Sequence, residues 1–260
     1  MTLLAVGVQG RGLVPPSNPV FAADDEALLR GSAAFETVRS YAGRPFLLDR
    51  HLERLRLSIA ALGLPPADGA EELALLVAGA APPDHVLRLY RTERLLVATA
   101  AELPPDLDEL RARGLALRSF EQHPTTLLTG VKATSYAAPL AARREAERAG
   151  AADALFVSEG RVLDTSTANI WWCTGGELHT PAAGPGVLPG VIRGFIQELE
   201  HVHKGTYRLE VLQAADEAFT TSSIREVMPV VSLDERPIGD GRPGPAAARL
   251  QALLRLRSTP

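Results

Sequence analysis

Helical and extended patterns alternate along the first half of the chain. Residues 35–41, entered through Gly31-Ser32 and left at Ala42-Gly43, read as a strand, with residues 45–48 as its hairpin partner. From Asp49 the apolar positions Leu52, Leu55, Ile59 and Leu62 keep helical spacing until Gly63 and Pro65-Pro66 end it. A second helix is expected over 71–77, one or two strands over 86–100, and a helical segment after Pro104-Pro105. The loop-like composition of 119–124 places a domain boundary near residue 120, dividing the chain into 1–120 and 121–260. Beyond it, 137–150 reads as a helix, 154–157 and 162–163 as a hairpin around Glu159-Gly160, and 169–173 as a buried strand.

Bulk properties narrow the class. With 260 residues, 46% of them hydrophobic, the chain builds a substantial core in one large domain or two smaller ones. A net charge of −4 with interspersed signs leaves no basic stripe for nucleic acid and no polybasic membrane anchor. The single Cys173 excludes an internal disulfide framework and fits a reducing compartment. No apolar run has the length of a membrane span, and residues 1–12 lack a charged signal region, so a soluble cytoplasmic protein is expected. His201-Val202-His203 has no further ligand set at metal-binding spacing, so no metal is expected and the pair reads as surface histidines. Cys173, inside the apolar Trp171-Trp172-Cys173 run, reads as a buried small hydrophobe.

Only two of the 27 lysines and arginines are lysines, Lys132 and Lys204. An amine that gives up its proton attacks carbonyls, which a guanidinium does not, and its strongest use is a Schiff base with pyridoxal phosphate. Lys132, in Lys132-Ala133-Thr134-Ser135-Tyr136, is therefore the candidate anchor, while Lys204 lies in a polar helix end and turn. Four further places each have a structural and a functional reading. His51 and Arg54 share a helix face, either solvated or binding. Pro189-Gly190 opens a helix whose Val191 and Ile192 amides are free to meet an anion. Thr220 to Ser223 form a hydroxyl cluster, ordinarily a turn, and Asp164 either caps a turn or holds a pyridine nitrogen protonated.

Order and spacing join these places. Gly31 to Arg39 resembles a glycine-aromatic-Glu-Thr strand, and His51 to Ser58 a His-x-x-Arg-Leu-x-x-Ser helix. Lys132 to Tyr136 is followed by Ala146-Glu147, Gly150, Ala154-Leu155, Gly160 and the run from Asp164 to Ile170. Leu188 to Arg193 then matches Leu-x-Gly-x-x-Arg, and Thr221 to Val230 a closing hydroxyl and Pro-Val segment. From Gly31 to Val230 the chain resembles the class IV aminotransferase family, the fold type IV pyridoxal phosphate enzymes.

The resemblance implies a mixed α+β / α/β fold of two domains: a small N-terminal α+β domain and a larger C-terminal, β-barrel-like domain with helices. It implies a homodimer with the cofactor between the domains. By position, Lys132 carries pyridoxal 5'-phosphate as a Schiff base and shuttles the substrate proton. Arg54, the Val191 and Ile192 amides, Ser222 and Ser223 hold the phosphate, Asp164 meets the ring nitrogen, and Tyr136 the phenolic oxygen. The implied reaction is transamination between an amino acid, D in preference to branched-chain L, and a 2-oxo acid. The alternatives are 4-amino-4-deoxychorismate lyase of the same family, and a pyridoxal phosphate binding protein that has lost activity. Departures from the pattern are Asp164 for the usual glutamate, Gly31-Ser32-Ala33 for Gly-Asp-Gly, and Phe35 for the usual tyrosine. Residues 88–98 also omit a longer arginine-bearing loop, so beside Phe35 substrate binding falls to Arg39, Arg88, Tyr90 and Arg94. Arg39 and Arg88 also read as ion-paired scaffold residues, the preferred reading for at least one of them.

Overall fold

Strand alternation at 34–41 separates two sets of side chains, and the two sets serve different ends. The computed structural model describes residues 2–258. Their first unit comprises residues up to Pro104 together with Val131–Tyr136. It holds the strands β1 (Leu3–Val8), β2 (Gly12–Val14), β3 (Ala34–Tyr41), β4 (Arg44–Pro45), β5 (His85–Arg91) and β6 (Leu96–Ala101). Its helices are α1 (Glu26–Arg30), α2 (Leu48–Ala61) and α3 (Ala70–Gly79). The strands pair antiparallel throughout, in the order β2-β1-β6-β5-β3-β4.

Helices α2 and α3 cover one face of this sheet. Leu55 and Ile59 of α2 and Leu73 and Val77 of α3 join Val38, Leu87, Leu89, Ala98 and Ala100 in one core, each large aliphatic contributing about 1.5–3 kcal/mol of burial. The opposite face carries Phe35, Thr37 and Arg39 of β3, paired across the strands with Tyr90, Arg88 and Val86 of β5. The hairpin partner expected over 45–48 shrinks to β4, because Leu47 turns left-handed at φ 53 and α2 begins at Leu48.

Val131–Tyr136 is strapped to the start of β3. Ala133 bridges Ala34, the Phe35 amide donates to the Lys132 carbonyl at 3.0 Å, and the Thr134 amide to Ala33 O at 2.9 Å. The Thr134 hydroxyl donates to Gly31 O at 2.8 Å. Gly31 ends α1 at φ 67, and a Cβ there would stand 3.0 Å from the Ser135 Cα, so both conformation and closeness require glycine.

The second unit comprises Pro105–Gly130 and Ala137–Arg257. Its strands are β7 (Leu115–Glu121), β8 (Asp153–Ser158), β9 (Arg161–Thr165), β10 (Asn169–Thr174), β11 (Glu177–Pro181), β12 (Val202–Gly205), β13 (Glu217–Ser222), β14 (Glu226–Leu233) and β15 (Arg236–Pro237). Its helices are α4 (Leu107–Arg113), α5 (Ala137–Arg148), α6 (Val191–Leu199), α7 (Leu209–Gln213) and α8 (Pro245–Ser258). The sheet runs β12-β11-β10-β13-β14-β7-β8-β9 with β15 added on β14, parallel at β11/β12, β14/β7 and β7/β8. It curls until its edge strand β9 approaches β10 and β11. Trp172, Leu155, Ile170, Met228 and Leu117 fill its core. The units divide at Pro104/Pro105, not near residue 120, because β7 pairs inside the second sheet, and Val131–Tyr136 returns to the first unit.

Gly31→Ala is expected to lower unfolding stability by about 1–3 kcal/mol for the left-handed backbone, with the Ser135 clash added. Gly10→Ala, at φ 74 with nothing within 4 Å, carries the backbone penalty alone. Urea denaturation of both variants checks this, and equal losses would show that the strap does not press on Gly31.

Candidate active site

The buried stripe of α2 is not wholly apolar. His51, Arg54 and Ser58 share it with Leu48, Leu55 and Ile59, and each polar group has a partner. Glu36 of β3, fully buried, accepts from Arg54 Nε at 2.7 Å through Oε1 and from Arg54 Nη2 at 2.7 Å through Oε2. His51 Nδ1 lies 2.7 Å from the same Oε2. Burial alone would raise the Glu36 carboxyl, but the hydrogen bonds and charge of Arg54, joined by His51, hold it at about 2. Burial pushes the His51 imidazole below its ordinary value against the pull of Glu36. His51 is therefore neutral, and because the carboxylate only accepts, Nδ1 carries the proton.

Ser58 extends this arrangement to the lysine. Its hydroxyl donates to Arg54 O at 3.0 Å and accepts the Lys132 amide at 3.0 Å. The Lys132 backbone is thus bonded on one side to α2 and on the other to Phe35 of β3. Its Nζ donates to the Tyr136 hydroxyl at 3.3 Å and lies 4.4 Å from the Phe35 ring centroid. Phe35 stacks on Tyr90 at 6.2 Å and meets Tyr136 edge-on at 5.4 Å. The structure therefore gathers Phe35, Tyr90, Tyr136 and Lys132. Arg39 and Arg88 share the sheet face of Phe35 and Tyr90, with the Arg39 guanidinium 5.0 Å over the Tyr41 ring. Arg94 stands apart in the β5–β6 turn, where Nη1 and Nη2 grip the exposed Asp24 at 2.8 and 3.1 Å.

In the second unit Asp164 lies on β9 with little exposure. Thr165 closes a turn onto Ala168, its amide donating to Ala168 O at 2.9 Å, and this returns Asn169 beside Asp164. Asp164 Oδ2 accepts from Asn169 Nδ2 and from the Leu188 amide, each at 2.8 Å. Asp164 Oδ1 is buried and, among the described residues, accepts no hydrogen bond of good geometry. Burial pushes this carboxyl up to about 7, against the lowering effects of the Leu188 amide, Asn169, the Arg193 charge and the Ile170 amide. The next element, α6, starts at Gly190 without a side-chain cap, so the Val191 and Ile192 amides keep donors to offer. Ser222 ends β13, and its Oγ accepts the Arg225 amide at 3.2 Å across a turn that includes Ser223. The Arg225 guanidinium is fixed at 2.9 Å by the buried Asp153. Trp171 Nε1 donates to Thr221 Oγ1 at 2.8 Å, so that hydroxyl of the cluster serves packing. Burial raises the Cys173 thiol to about 11, which excludes it as a thiolate nucleophile at neutral pH.

Glu36, Ser58, Asn169 and Arg193 stand inside the resemblance motifs but had no assigned role. Polar residues at helical spacing on the same stripe as Leu55 and Ile59 are the sign that marks His51, Arg54 and Ser58 as partnered. Asn169 bears no such mark, since it is paired through a turn and a distant loop.

The donor set fits pyridoxal phosphate. Asp164 Oδ1 is a buried acceptor without a donor, the chemistry a protonated ring nitrogen satisfies, and the start of α6 suits a phosphate. The amine of Lys132 is paired with no carboxylate among the described residues.

A family model described as amino-transferase class IV matches residues 33–233. The chain is similar to the aminodeoxychorismate lyase of Bacillus subtilis (strain 168), 30% identical over 89% of this chain and 87% of that protein. It is likewise similar to the D-alanine aminotransferase of Listeria monocytogenes serotype 1/2a (strain 10403S), 26% identical over 87% of each. Among solved structures, a hypothetical aminotransferase from Mycobacterium tuberculosis in its PLP-bound form superposes with a TM-score of 0.88. It is 25% identical and the match covers 96% of this chain and 97% of that one.

Glu36 and Asp164 act on stability in opposite pH windows. Glu36 is depressed, so its contribution is full above the ordinary 4.5 and is lost as pH falls through about 2. Asp164 is raised, so the folded protein retains a proton that the unfolded chain releases, and stability falls as pH rises from 3.8 through about 7. In cofactor-free protein, Asp164→Asn is expected to raise the melting temperature, with a larger gain at pH 8 than at pH 5, as scanning calorimetry will read. A loss at pH 8 would contradict the assignment.

Proposed function

Because the chain belongs to the class IV aminotransferase family, which uses pyridoxal phosphate, we propose that it moves an amino group between an amino acid and a 2-oxo acid. A D-amino acid is the preferred donor. The observation that carries this reading is the Lys132 amine, fixed by two backbone hydrogen bonds and directed at Phe35 and Tyr136 without a carboxylate partner among the described residues. Support for the D-amino acid comes from the D-alanine aminotransferases among its relatives, 24% and 26% identical.

Bound pyridoxal phosphate supplies an electron sink for the carbon from which a proton is removed. Lys132 would hold the cofactor through its amine and carry the proton from and to the reacting carbon. Phe35 and Tyr90 keep water from the amine, and the Tyr136 hydroxyl, already 3.3 Å from Nζ, orients it. Asp164 would accept from the ring nitrogen through Oδ1. The Val191 and Ile192 amides, Ser222 and Ser223 would hold the phosphate, and Arg54, kept in one orientation by Glu36, is proposed as a further phosphate ligand. Arg39 and Arg88 are assigned to the substrate carboxylate. Arg94, engaged by Asp24, is not. The protein is further proposed to act as a homodimer in the cytoplasm.

A second reading is favoured by one specific observation: the rings of Phe35 and Tyr136 face the lysine amine, and Tyr90 stacks on Phe35. They suit a ring-bearing substrate, as in lysis of aminodeoxychorismate to p-aminobenzoate and pyruvate. Absorbance of the purified protein with pyridoxal phosphate, before and after D-alanine or L-leucine, separates the two. Bleaching by D-alanine with stoichiometric pyridoxamine phosphate is the expected result. A yellow protein unmoved by either donor but releasing p-aminobenzoate from aminodeoxychorismate would establish the lyase. Lys132→Ala is expected to abolish both the absorbance and turnover, and retained multiple turnover would overturn the assignment.

A further inference from the structure

The carboxylate of Asp164 is one methylene shorter than the glutamate it replaces, and it does not stand alone. Asn169 uses both amide hydrogens on it and its surroundings, one on Asp164 Oδ2 and one on Leu188 O, each at 2.8 Å. Two acceptors facing the same nitrogen settle which end of the side-chain amide is which. Leu188 answers in the reverse direction, its amide donating to Asp164 Oδ2 at 2.8 Å, and its carbonyl also receives the Gly190 amide at 2.8 Å. Asp164, Asn169 and residues 188–190 thus form a closed ring of hydrogen bonds that ends where α6 begins.

Gly190 bears on the same contact. A Cβ at this position would lie 2.0 Å from Asn169 Oδ1, although the backbone there, at φ −64 and ψ 141, suits any residue. Glycine is required at 190 by its neighbour and not by its own conformation. Arg193, in the first turn of α6, keeps Nη2 on Pro181 O at 2.6 Å, so the helix start is tied to β11 as well.

We propose that Asn169 is a positioning residue that locks Asp164 to the loop entering α6, so that the ring-nitrogen contact and the anion-facing helix start are held as one rigid piece. The role rests on the pyridoxal phosphate reading above. Loss of the latch leaves Asp164 Oδ2 to the Leu188 amide alone and the Leu188 carbonyl to the Gly190 amide alone, loosening both ends of this piece together.

The test is a double-mutant cycle on the full chain, read by the dissociation constant for pyridoxal phosphate from quenching of Trp171 and Trp172 fluorescence. Asn169→Leu is expected to weaken binding about tenfold or more, the scale of one buried hydrogen bond. It is also expected to move the acidic limb of the affinity's pH profile to higher pH, which a loss of packing alone would not do. Gly190→Ala is expected to weaken binding in the wild-type background. It is expected to add much less loss in an Asn169→Ala background, where Asn169 Oδ1 and Cγ are gone and only the Arg193 Cβ at 3.3 Å remains close. Additive losses at 169 and 190, or wild-type affinity and an unmoved pH limb in Asn169→Leu, would overturn the latch. Absence of pyridoxal phosphate uptake by the unsubstituted protein would instead overturn the functional reading and the role with it, before any variant is compared.

Discussion

The bonding of the lysine backbone to α2 depends on one carboxylate with no exposure to water, Glu36. A buried charge is tolerated only when its partners are complete, and removing one partner from such a set costs about 3–5 kcal/mol. Glu36 satisfies this with both forks of Arg54 and the neutral His51, which welds β3 to α2. The consequence reaches Lys132 through Ser58, whose hydroxyl bridges the Arg54 carbonyl and the Lys132 amide. The neighbouring residue on β3 points to the other side of the sheet, and there Phe35 receives the lysine amine. Strand alternation therefore makes β3 serve both as anchor and as floor within two residues.

Asp164 shows the opposite solution. Glu36 is fully partnered and held low, whereas Asp164 has one oxygen satisfied and one buried oxygen without a donor, and is pushed up to about 7. Two carboxyls driven apart in this way have different work: the first is scaffold, the second waits for a hydrogen-bond donor from a ligand. The price of that readiness is stability in the unliganded protein, a trade expected of a binding site.

The helices and the strands of the first sheet were legible because their apolar periods are local: α2, α3, β3, β5 and β6 stand where periodicity placed them. β1 and β7 were not, since β1 is specified by pairing with the distant β6 and β7 by parallel pairing with β14 and β8, far away in sequence. The boundary drawn near residue 120 moved to Pro104/Pro105 for the same reason. Lys132 was marked by residue type in a chain that otherwise uses arginine, and Asp164 by its place in a motif. Glu36 and Asn169 look ordinary in sequence. Their importance lies in burial and in partners fifteen to nineteen positions away, such as His51 from Glu36 and Leu188 from Asn169.

The lysine content offers the most direct test of the central claim. Incubating the protein with pyridoxal phosphate, reducing with borohydride and mapping the adduct by peptide mass spectrometry gives a choice between two sites, Lys132 and Lys204. The account predicts one pyridoxyl adduct per chain, on the peptide containing Lys132. An adduct confined to Lys204, or none at all, would contradict it.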